Sequence, residues 1–259
     1  MIRNTFTILD GIGQRLERRL WREGILTWNH FLDTSLSFIN PERKRLLDET
    51  LFFAATELNE GNAEYFATTL KRYEHWRLFD FFKEDAICLD IETNGLAPNS
   101  GGYVTLVGIY DGCNYKCFIR GENLTADALN KELSRYKYLI TFYGAVFDIP
   151  FLKNCFHELS FNIPHFDLCF AARRAGLKGG LKKLEPYFGI QRQDEVKEMD
   201  GYDAVLLWQE AERGCSRALD LLMLYNKEDT VNLFSIAESV YRRLKALTGI
   251  EEYLNGSTS

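Results

Sequence analysis

Four acidic residues and one tyrosine lie in three separate segments of the chain, each surrounded by apolar residues. They are Asp90, Glu92, Asp148, Tyr225 and Asp229. A carboxylate among apolar side chains is costly unless it is paired or binds a metal ion. Carboxylates gathered from several segments also repel one another, and a divalent cation removes that repulsion. Hard oxygen ligands select Mg²⁺ or Mn²⁺ over zinc or copper, so the residues predict a centre for two such ions, which suits phosphodiester hydrolysis.

The first two acids share one side of a predicted strand. Apolar residues alternate with Asp90 and Glu92 across 87–92, which is the two-residue period of a strand. Asn94 and Gly95 then give a turn signal, so the two carboxylates lie at the end of the strand, where functional sites of α/β folds are common. Taken alone, the pattern also fits an ordinary half-exposed strand.

The last acid lies on a predicted helix over about 216–244, where apolar residues recur at helical spacing. Tyr225 and Asp229 are four residues apart, which places the phenol one turn before the carboxylate on the same face. Glu228 is an alternative ligand to Asp229. However, adjacent helical residues diverge by about 100°, so Glu228 does not share this face with Tyr225.

These segments resemble a known family. Residues 90–96 (Asp-Ile-Glu-Thr-Asn-Gly-Leu), residues 143–148 and the Tyr225-x-x-x-Asp229 spacing are similar to the three motifs of the DEDD, or DnaQ-like, 3′–5′ exonucleases. The tyrosine is typical of the DEDDy branch, since Leu224 stands where the other branch carries histidine.

The similarity covers about 86–243 and is strongest to the YprB-like group of ribonuclease H-like proteins. Tyr143 is a departure, because these proteins commonly carry asparagine at that position.

The resemblance implies hydrolysis of phosphodiester bonds from the 3′ end of a single strand, with two Mg²⁺ or Mn²⁺ ions. Asp90 would bridge both ions, and Glu92 and Asp229 would complete one site. Asp148 would hold the second ion, largely through water. Tyr225 would orient the attacking water, because its ordinary pKa of about 10 makes it a poor base. An RNA-trimming exonuclease, an endonuclease on the same fold, and a non-catalytic nucleic-acid-binding module are the alternatives.

A basic segment lies between the second and the third of these motifs. No acid interrupts its five cations, which are Arg173, Arg174, Lys178, Lys182 and Lys183. A glycine-containing loop leads into a helix predicted to begin near Leu181, where backbone amides and lysines would bind phosphate. The segment alone could equally be a solvated helix face. Beside an acidic metal centre, contact with the nucleic-acid backbone is favoured for Lys178, Lys182 and Lys183, and also for Thr93 next to Glu92.

Residues 1–82 differ in character, because helical patterns dominate and no strand alternation is evident. Asn40 and Pro41 predict the start of a long helix. The segment around Gly11-Ile12-Gly13 resembles a helix-hairpin-helix, in which backbone amides approach a DNA phosphate without sequence preference. Gly11, Gly13 and Arg15 are the expected contacts. The alternatives are a structural helical cap and a protein-contact module.

From residue 86 the pattern changes to strands. They are predicted at 86–91, 103–110, 115–120 and 138–142, with a helix at 125–135 between the last two. This order predicts an α/β fold, a ribonuclease H-like mixed five-stranded sheet flanked by helices, with a small all-α region before it. Placing the fourth strand beside the first brings Asp148 close to Asp90. The predicted division is a helical region at 1–82, a ribonuclease H-like domain at 83–245 and a flexible tail at 246–259.

Composition indicates the general class of the protein. The chain is 46% hydrophobic and 26% charged, as in ordinary globular proteins. No membrane span or secretory signal is evident, and the six cysteines form no C-x-x-C pair, so reduced thiols and a cytoplasmic location are expected. A net charge of −6 does not by itself favour nucleic acid, so that expectation depends on local basic patches. The sequence indicates no particular protein partner.

Overall fold

A mixed sheet of five strands forms the frame of the computed structural model, which describes residues 1–256. The strands are β1 (Ala86–Thr93), β2 (Val104–Tyr110), β3 (Tyr115–Ile119), β4 (Tyr138–Thr141) and β5 (His165–Asp167). Their order is β3-β2-β1-β4-β5. β1, β2 and β3 pair antiparallel, whereas β4 pairs parallel with both β1 and β5. The predicted mixed five-stranded sheet is therefore confirmed.

Helices flank this sheet and also make up most of the chain before it. In chain order they are α1 (Gln14–Arg22), α2 (Trp28–Asp33), α3 (Pro41–Asn59), α4 (Ala63–Thr69), α5 (Phe79–Phe82), α6 (Ala126–Leu133), α7 (Asp148–Cys155), α8 (Leu168–Arg174), α9 (Leu181–Leu184), α10 (Gly201–Glu212), α11 (Ser216–Thr248) and α12 (Ile250–Gly256). No helix within residues 1–256 is long and apolar enough to cross a membrane.

The central strand β1 separates two cores. Ile87, Leu89 and Ile91 are buried on one face of the sheet, in a core completed by α6 and α7. Ala86 and Cys88 point to the opposite face and join a core that includes α8 and α11. Since side chains alternate along a strand, Asp90 and Glu92 lie on the α11 face. The strand's alternation thus directs both carboxylates toward the long helix.

The close approach of α11 to the sheet requires Gly108 on β2. This glycine pairs with Asp90 on β1. A Cβ atom at that position would lie 1.8 Å from Asn226 Oδ1 and 2.7 Å from Thr230 Oγ1. Any larger residue would therefore push the helix outward, and with it the side chains that α11 directs at β1.

The amino-terminal helices share the core of the sheet and do not form a separate one. Phe66, Trp76 and Phe79 belong to the same buried cluster as Cys88 of β1 and Ile140 of β4. The predicted start of α3 is confirmed, because Asn40 Oδ1 caps the helix by accepting from the Glu42 amide at 2.9 Å, and Pro41 is the first helical residue.

A buried ion network fixes α1 to the segment that leads into the sheet. The Arg77 guanidinium donates to Glu17 at 2.9 Å and to Glu74 at 2.6 Å. Glu74 also accepts from Arg174 of α8 at 3.3 Å. A buried pair that loses one partner leaves an uncompensated charge, so this network resists separation of the helical region from the rest of the chain.

The structure does not confirm a complete helix-hairpin-helix at the amino terminus. The element before the hairpin is a single 3-10 turn, Ile2–Asn4, whereas the motif needs a helix on both sides. Glu17 explains this, because it accepts from the Thr5 hydroxyl at 2.6 Å and from the Phe6 amide at 2.7 Å, which holds the chain extended. The hairpin itself is present: Gly11 has a φ of +71° and Gly13 precedes α1.

The predicted flexible tail is wrong for residues 246–256. Helix α11 continues to Thr248, and Gly249, with a φ of +78°, turns the chain into α12. Ile250 is fully buried, and the ring of Tyr253 lies 6.3 Å from that of Trp21. Apolar residues at helical spacing therefore hold this segment against α1. Residues 257–259, the end of the predicted tail, lie outside the described residues.

Candidate metal centre

Three carboxylates from β1 and α11 come together at one end of the sheet. Ligand oxygens of Asp90, Glu92 and Asp229 all lie within 4.8 Å of one another. Glu92 and Asp229 are buried, whereas Asp90 is partly exposed. The residues come from positions separated by more than a hundred places in the chain, and the strand end and the helix face bring them together. The site therefore brings several carboxylate oxygens together in one place.

Asp148 lies against the same stretch of β1. Because β4 pairs parallel with β1, the loop after β4 returns at the level of Ile91, and Asp148 opens α7 there. Its Oδ1 accepts from the Ile91 amide at 3.2 Å. Asp148 is not one of the three residues in the tight group, but it is 3% exposed and adjoins the residue between Asp90 and Glu92.

Burial and mutual repulsion raise the pKa of each acid. For Asp90 and Glu92, burial is the larger cause and the charge of Asp229 adds to it, so both pKa values lie well above their ordinary range. Burial also raises the pKa of Asp148 to about 7. The pKa of Asp229 is raised by burial, although Arg192 opposes that shift.

These carboxylates fit a divalent metal. A buried group of like charges is unfavourable when ionised, and a cation among the oxygens would reverse the sign of the interaction. All candidate donors are carboxylate oxygens, which is the ligand type that Mg²⁺ and Mn²⁺ prefer. The arrangement can hold a hard divalent ion, and carboxylate donors suit both Mg²⁺ and Mn²⁺.

Arg192 is part of the centre, although the sequence did not indicate it. Its guanidinium forms an ion pair with Asp229 and a two-pronged pair with Glu185, at 2.6 and 2.7 Å. The side chain of Arg192 is only 4% exposed. It lies in an irregular segment between Gly189 and Asp200 that has no period from which its direction could be predicted.

Asn226 is a second residue that sequence reasoning missed. Its side-chain amide donates to Asp90 at 2.8 Å and to Glu92 at 3.4 Å. The side-chain oxygen Oδ1 of Asn226 accepts in turn from the Tyr115 hydroxyl at 2.9 Å. Asn226 is fully buried, so it orients the two strand carboxylates. In the sequence, Asn226 resembles any other polar residue of a helix. Only the fold shows that it lies opposite Gly108 of β2.

Tyr225 lies at the edge of the carboxylate group. It is 6% exposed, and Lys182 Nζ lies 5.0 Å from its ring centroid. Burial, followed by the charge of Asp229, raises the pKa of the phenol, which is therefore neutral near pH 7. The hydroxyl forms no hydrogen bond with another residue of the described chain, so it is available to a solvent molecule or substrate.

The predicted nucleic-acid contacts divide between two regions. Thr93, which follows Glu92, lines a groove of about 550 Å³ together with Leu96 and with Phe147, which precedes Asp148. Lys182 reaches the centre through its position over Tyr225, whereas Lys178 and Lys183 are exposed.

Gly11, Gly13 and Arg15 line a different cavity, of about 510 Å³, to which none of the predicted catalytic residues contributes. The predicted helix near Leu181 exists, but it is only the four-residue α9. The structure therefore places Thr93 and Lys182 next to the carboxylates and leaves the amino-terminal contacts apart from them.

The fold places this centre in a known superfamily. Residues 87–241 match the RNase H superfamily, and the chain belongs to it. It therefore has an RNase H-like nuclease fold with an acidic cluster that can bind metal. Comparison with curated proteins gave no significant match.

Two solved structures are similar to the chain. One is the apo form of a nuclease, 22% identical, with 66% of this chain and 78% of that chain covered and a TM-score of 0.49. The other is the family B DNA polymerase from the hyperthermophilic archaeon Pyrobaculum calidifontis, 14% identical, with 60% of this chain covered and a TM-score of 0.49. The chain spans only 24% of that polymerase's length.

Proposed function

We propose that the protein is a metal-dependent 3′–5′ exonuclease of the DEDDy type that hydrolyses single-stranded nucleic acid, with DNA as the substrate. The observation that carries the proposal is the convergence of Asp90, Glu92 and Asp229 within 4.8 Å, with Tyr225 one helical turn before Asp229. The superfamily supports a nuclease, and the tyrosine spacing supports this branch of it.

Two divalent ions, Mg²⁺ or Mn²⁺, would be held by Asp90, Glu92, Asp148 and Asp229. When bound, such ions make hydroxide available near neutral pH and stabilise the charge on the leaving oxygen. Asn226 supports the proposal from the protein side, because its hydrogen bonds to Asp90 and Glu92 hold both carboxylates in one orientation.

Tyr225 is assigned the orientation of the attacking water. Its raised pKa makes the phenol a hydrogen-bond donor or acceptor and a poor base. Its hydroxyl has no partner in the described chain, and its ring is fixed in a core with Leu106 and Trp208. A held ring with an unpaired hydroxyl is suited to positioning a small polar molecule.

The proposal is tested with single-stranded DNA and RNA of one sequence, each labelled at the 5′ end and incubated with Mg²⁺ or Mn²⁺. A ladder that shortens progressively from the 3′ end supports the exonuclease, and the faster of the two ladders identifies the sugar. Internal cuts of fixed length would assign an endonuclease.

Asp90→Asn is the matched control and should give no product, because a proposed ligand shared by both metals is lost. A second control carries a phosphorothioate bond at the 3′ end, which should delay an exonuclease at its first step. Absence of cleavage by the wild-type chain with either metal, together with tight nucleic-acid binding, would reduce the protein to a binding module.

A further inference from the structure

An aromatic groove of about 380 Å³ lies where the amino-terminal helical segment meets the sheet domain. Its exposed rings are Tyr73, which precedes the buried Glu74, and Phe170 on α8. Tyr73 is 56% exposed and Phe170 is 40% exposed, while Trp76 and Phe166 are buried beneath them. Two exposed rings beside an apolar floor form a surface on which planar groups can stack.

The loop that borders this groove is held in one conformation. Tyr143 has a φ of +67°, which is unusual for a residue with a side chain. Asp167 stabilises it by accepting from the Tyr143 amide and the Ala145 amide, each at 2.9 Å. The ring of Tyr143 then lies 6.0 Å from that of Phe170, at an angle of 31°. The aromatic surface is therefore extended by a third, 40% exposed ring whose backbone is fixed.

Positive charges surround the same rings. Arg72 lines the groove, the guanidinium carbon of Arg173 lies 5.8 Å from the Phe170 ring centroid, and that of Arg174 lies 5.3 Å from the Tyr73 ring centroid. The acid that lines the groove, Asp167, has its oxygens directed to backbone amides. Arg174 also pairs with the buried Glu74 at 3.3 Å, whereas Arg72 and Arg173 form no ion pair within the described residues. These two arginines are therefore the cations available to a ligand.

This groove adjoins the groove that Thr93 and Phe147 line. Val146 is 51% exposed and lines both cavities, on one side with Thr93 and on the other with Phe170. Asp148 begins α7 two residues later. A flexible chain with one end at the carboxylates can therefore cross Val146 and continue along the aromatic rings.

We propose that the groove formed by Tyr73, Phe170, Arg72 and Arg173 binds the part of a single-stranded nucleic acid that lies upstream of the end at the metal centre. Two bases would stack on the rings while the arginines contact the intervening phosphates. Aromatic stacking beside a basic track is how proteins bind single strands without sequence preference. The proposal rests on the proposed nuclease function, and it gives the helical region a substrate-binding role that does not need a complete hairpin motif.

A peptide is a less suitable occupant. The edge strand β5 lines the groove, but the segment Arg72–Leu78 packs against it, and His75 Nδ1 accepts from the His165 amide at 3.0 Å. An added β-strand would therefore not find a free sheet edge there. A single-stranded nucleic acid alternates planar bases with charged phosphates. It therefore matches a surface on which guanidinium groups lie next to aromatic rings.

The test measures binding of labelled oligothymidylates of 4 and 20 nucleotides to the full-length chain carrying Asp90→Asn, so that no substrate is consumed. Adding Tyr73→Ala and Phe170→Ala should weaken binding of the 20-mer by about tenfold per ring. The 4-mer should be affected far less, because it does not reach both sites. Adding Arg72→Ala and Arg173→Ala instead should reduce the slope of log affinity against log salt by about 1.4.

Phe52→Ala and Arg45→Ala are the matched controls, since both residues lie on α3 and are exposed. They should leave binding of both oligomers unchanged. Tyr73→Ala alone is the second variant, because Tyr73 is the more exposed ring and its loss should not disturb folding. Circular dichroism melting confirms that each variant is folded.

Unchanged binding of the 20-mer by folded variants would overturn the inference, even if the wild-type chain proves to be an exonuclease. Weakened binding of the 20-mer by a chain whose wild type cleaves no nucleic acid would support the groove and reject the proposed function. Loss of binding to an acidic, phenylalanine-containing peptide, with oligonucleotide binding intact, would assign the groove to a protein partner and overturn the inference.

Discussion

Arg192 forms a buried ion pair with Asp229, on the helix that supplies the third carboxylate of the centre. The same guanidinium pairs with Glu185, whose side chain is 2% exposed. A positive charge of the protein itself therefore lies beside the acids. Any divalent ion that uses Asp229 must share its carboxylate with Arg192 or displace the guanidinium, so this residue sets the electrostatic balance of the centre.

Replacement of Arg192 should destabilise the protein strongly when no metal is added. Arg192→Ala leaves Glu185 and Asp229 buried without their cation, which costs about 3–5 kcal/mol in the free energy of unfolding. Arg192→Lys should cost less, because it keeps the charge and loses the two-pronged geometry. Urea denaturation measures both. Arg213→Ala, at an exposed position, is the control. A fully stable Arg192→Ala protein would show that the ion pair contributes nothing.

Added Mn²⁺ should raise the melting temperature, because it binds the folded centre and relieves repulsion between its carboxylates. At a concentration a hundred times the Kd, the gain is about 2.7 kcal/mol. Asp90→Asn should abolish that gain. It should also stabilise the protein without metal, since burial and Asp229 already raise the pKa of Asp90 and thus disfavour its charge. Calorimetry with and without Mn²⁺ decides between this expectation and an acidic cluster that binds nothing.

The pH dependence of stability should report Asp148. Its pKa rises from an ordinary value of about 3.9 to about 7 on folding, so the folded state binds the proton more tightly. Without metal, Asp148 should therefore lower the free energy of unfolding as pH rises from about 4 to 7. Buried His75 and His165, whose pKa values are lowered by burial to about 4 and about 3, act in the opposite direction.

The carboxyl is isolated by comparing the wild type with Asp148→Asn at each pH. The difference between their free energies of unfolding should change in favour of the variant as pH rises through this window. A constant difference from pH 4 to 7 would mean that Asp148 titrates normally in the folded protein.

The sequence was sufficient for the elements that carry strong periodicity. Alternation over 87–92 predicted β1 and the shared direction of Asp90 and Glu92, and the four-residue spacing placed Tyr225 and Asp229 on one face of α11. The meander and the position of the fourth strand beside the first followed from turn signals and chain order. Each of these depends on local spacing, which a single sequence records.

The missed features depend on contacts between distant segments. Arg192 lies in irregular chain and reaches Asp229 across 37 positions. Asn226 points at β1 only because Gly108 leaves room for it. The prediction of a flexible tail failed for a different reason. Ile250 and Tyr253 have helical spacing, but the polar residues at the end of the chain gave no helix signal. The helix α1, against which α12 packs, lies more than two hundred residues earlier in the chain.

Tyr225→Phe should lower the maximal rate by about 10²–10⁴-fold while metal-induced stabilisation remains, because the hydroxyl is lost and no carboxylate is removed. The hydroxyl has no hydrogen-bond partner among the described residues, so phenylalanine should not reduce the free energy of unfolding. Tyr225→Ala should reduce it by about 3–5 kcal/mol, since the ring packs with Leu106, Trp208 and Leu222. Single-turnover rates at saturating Mg²⁺ and urea denaturation separate the two effects. If Tyr225→Phe cleaves at the wild-type rate, the tyrosine serves packing alone, and the mechanism depends only on the carboxylates and their metals.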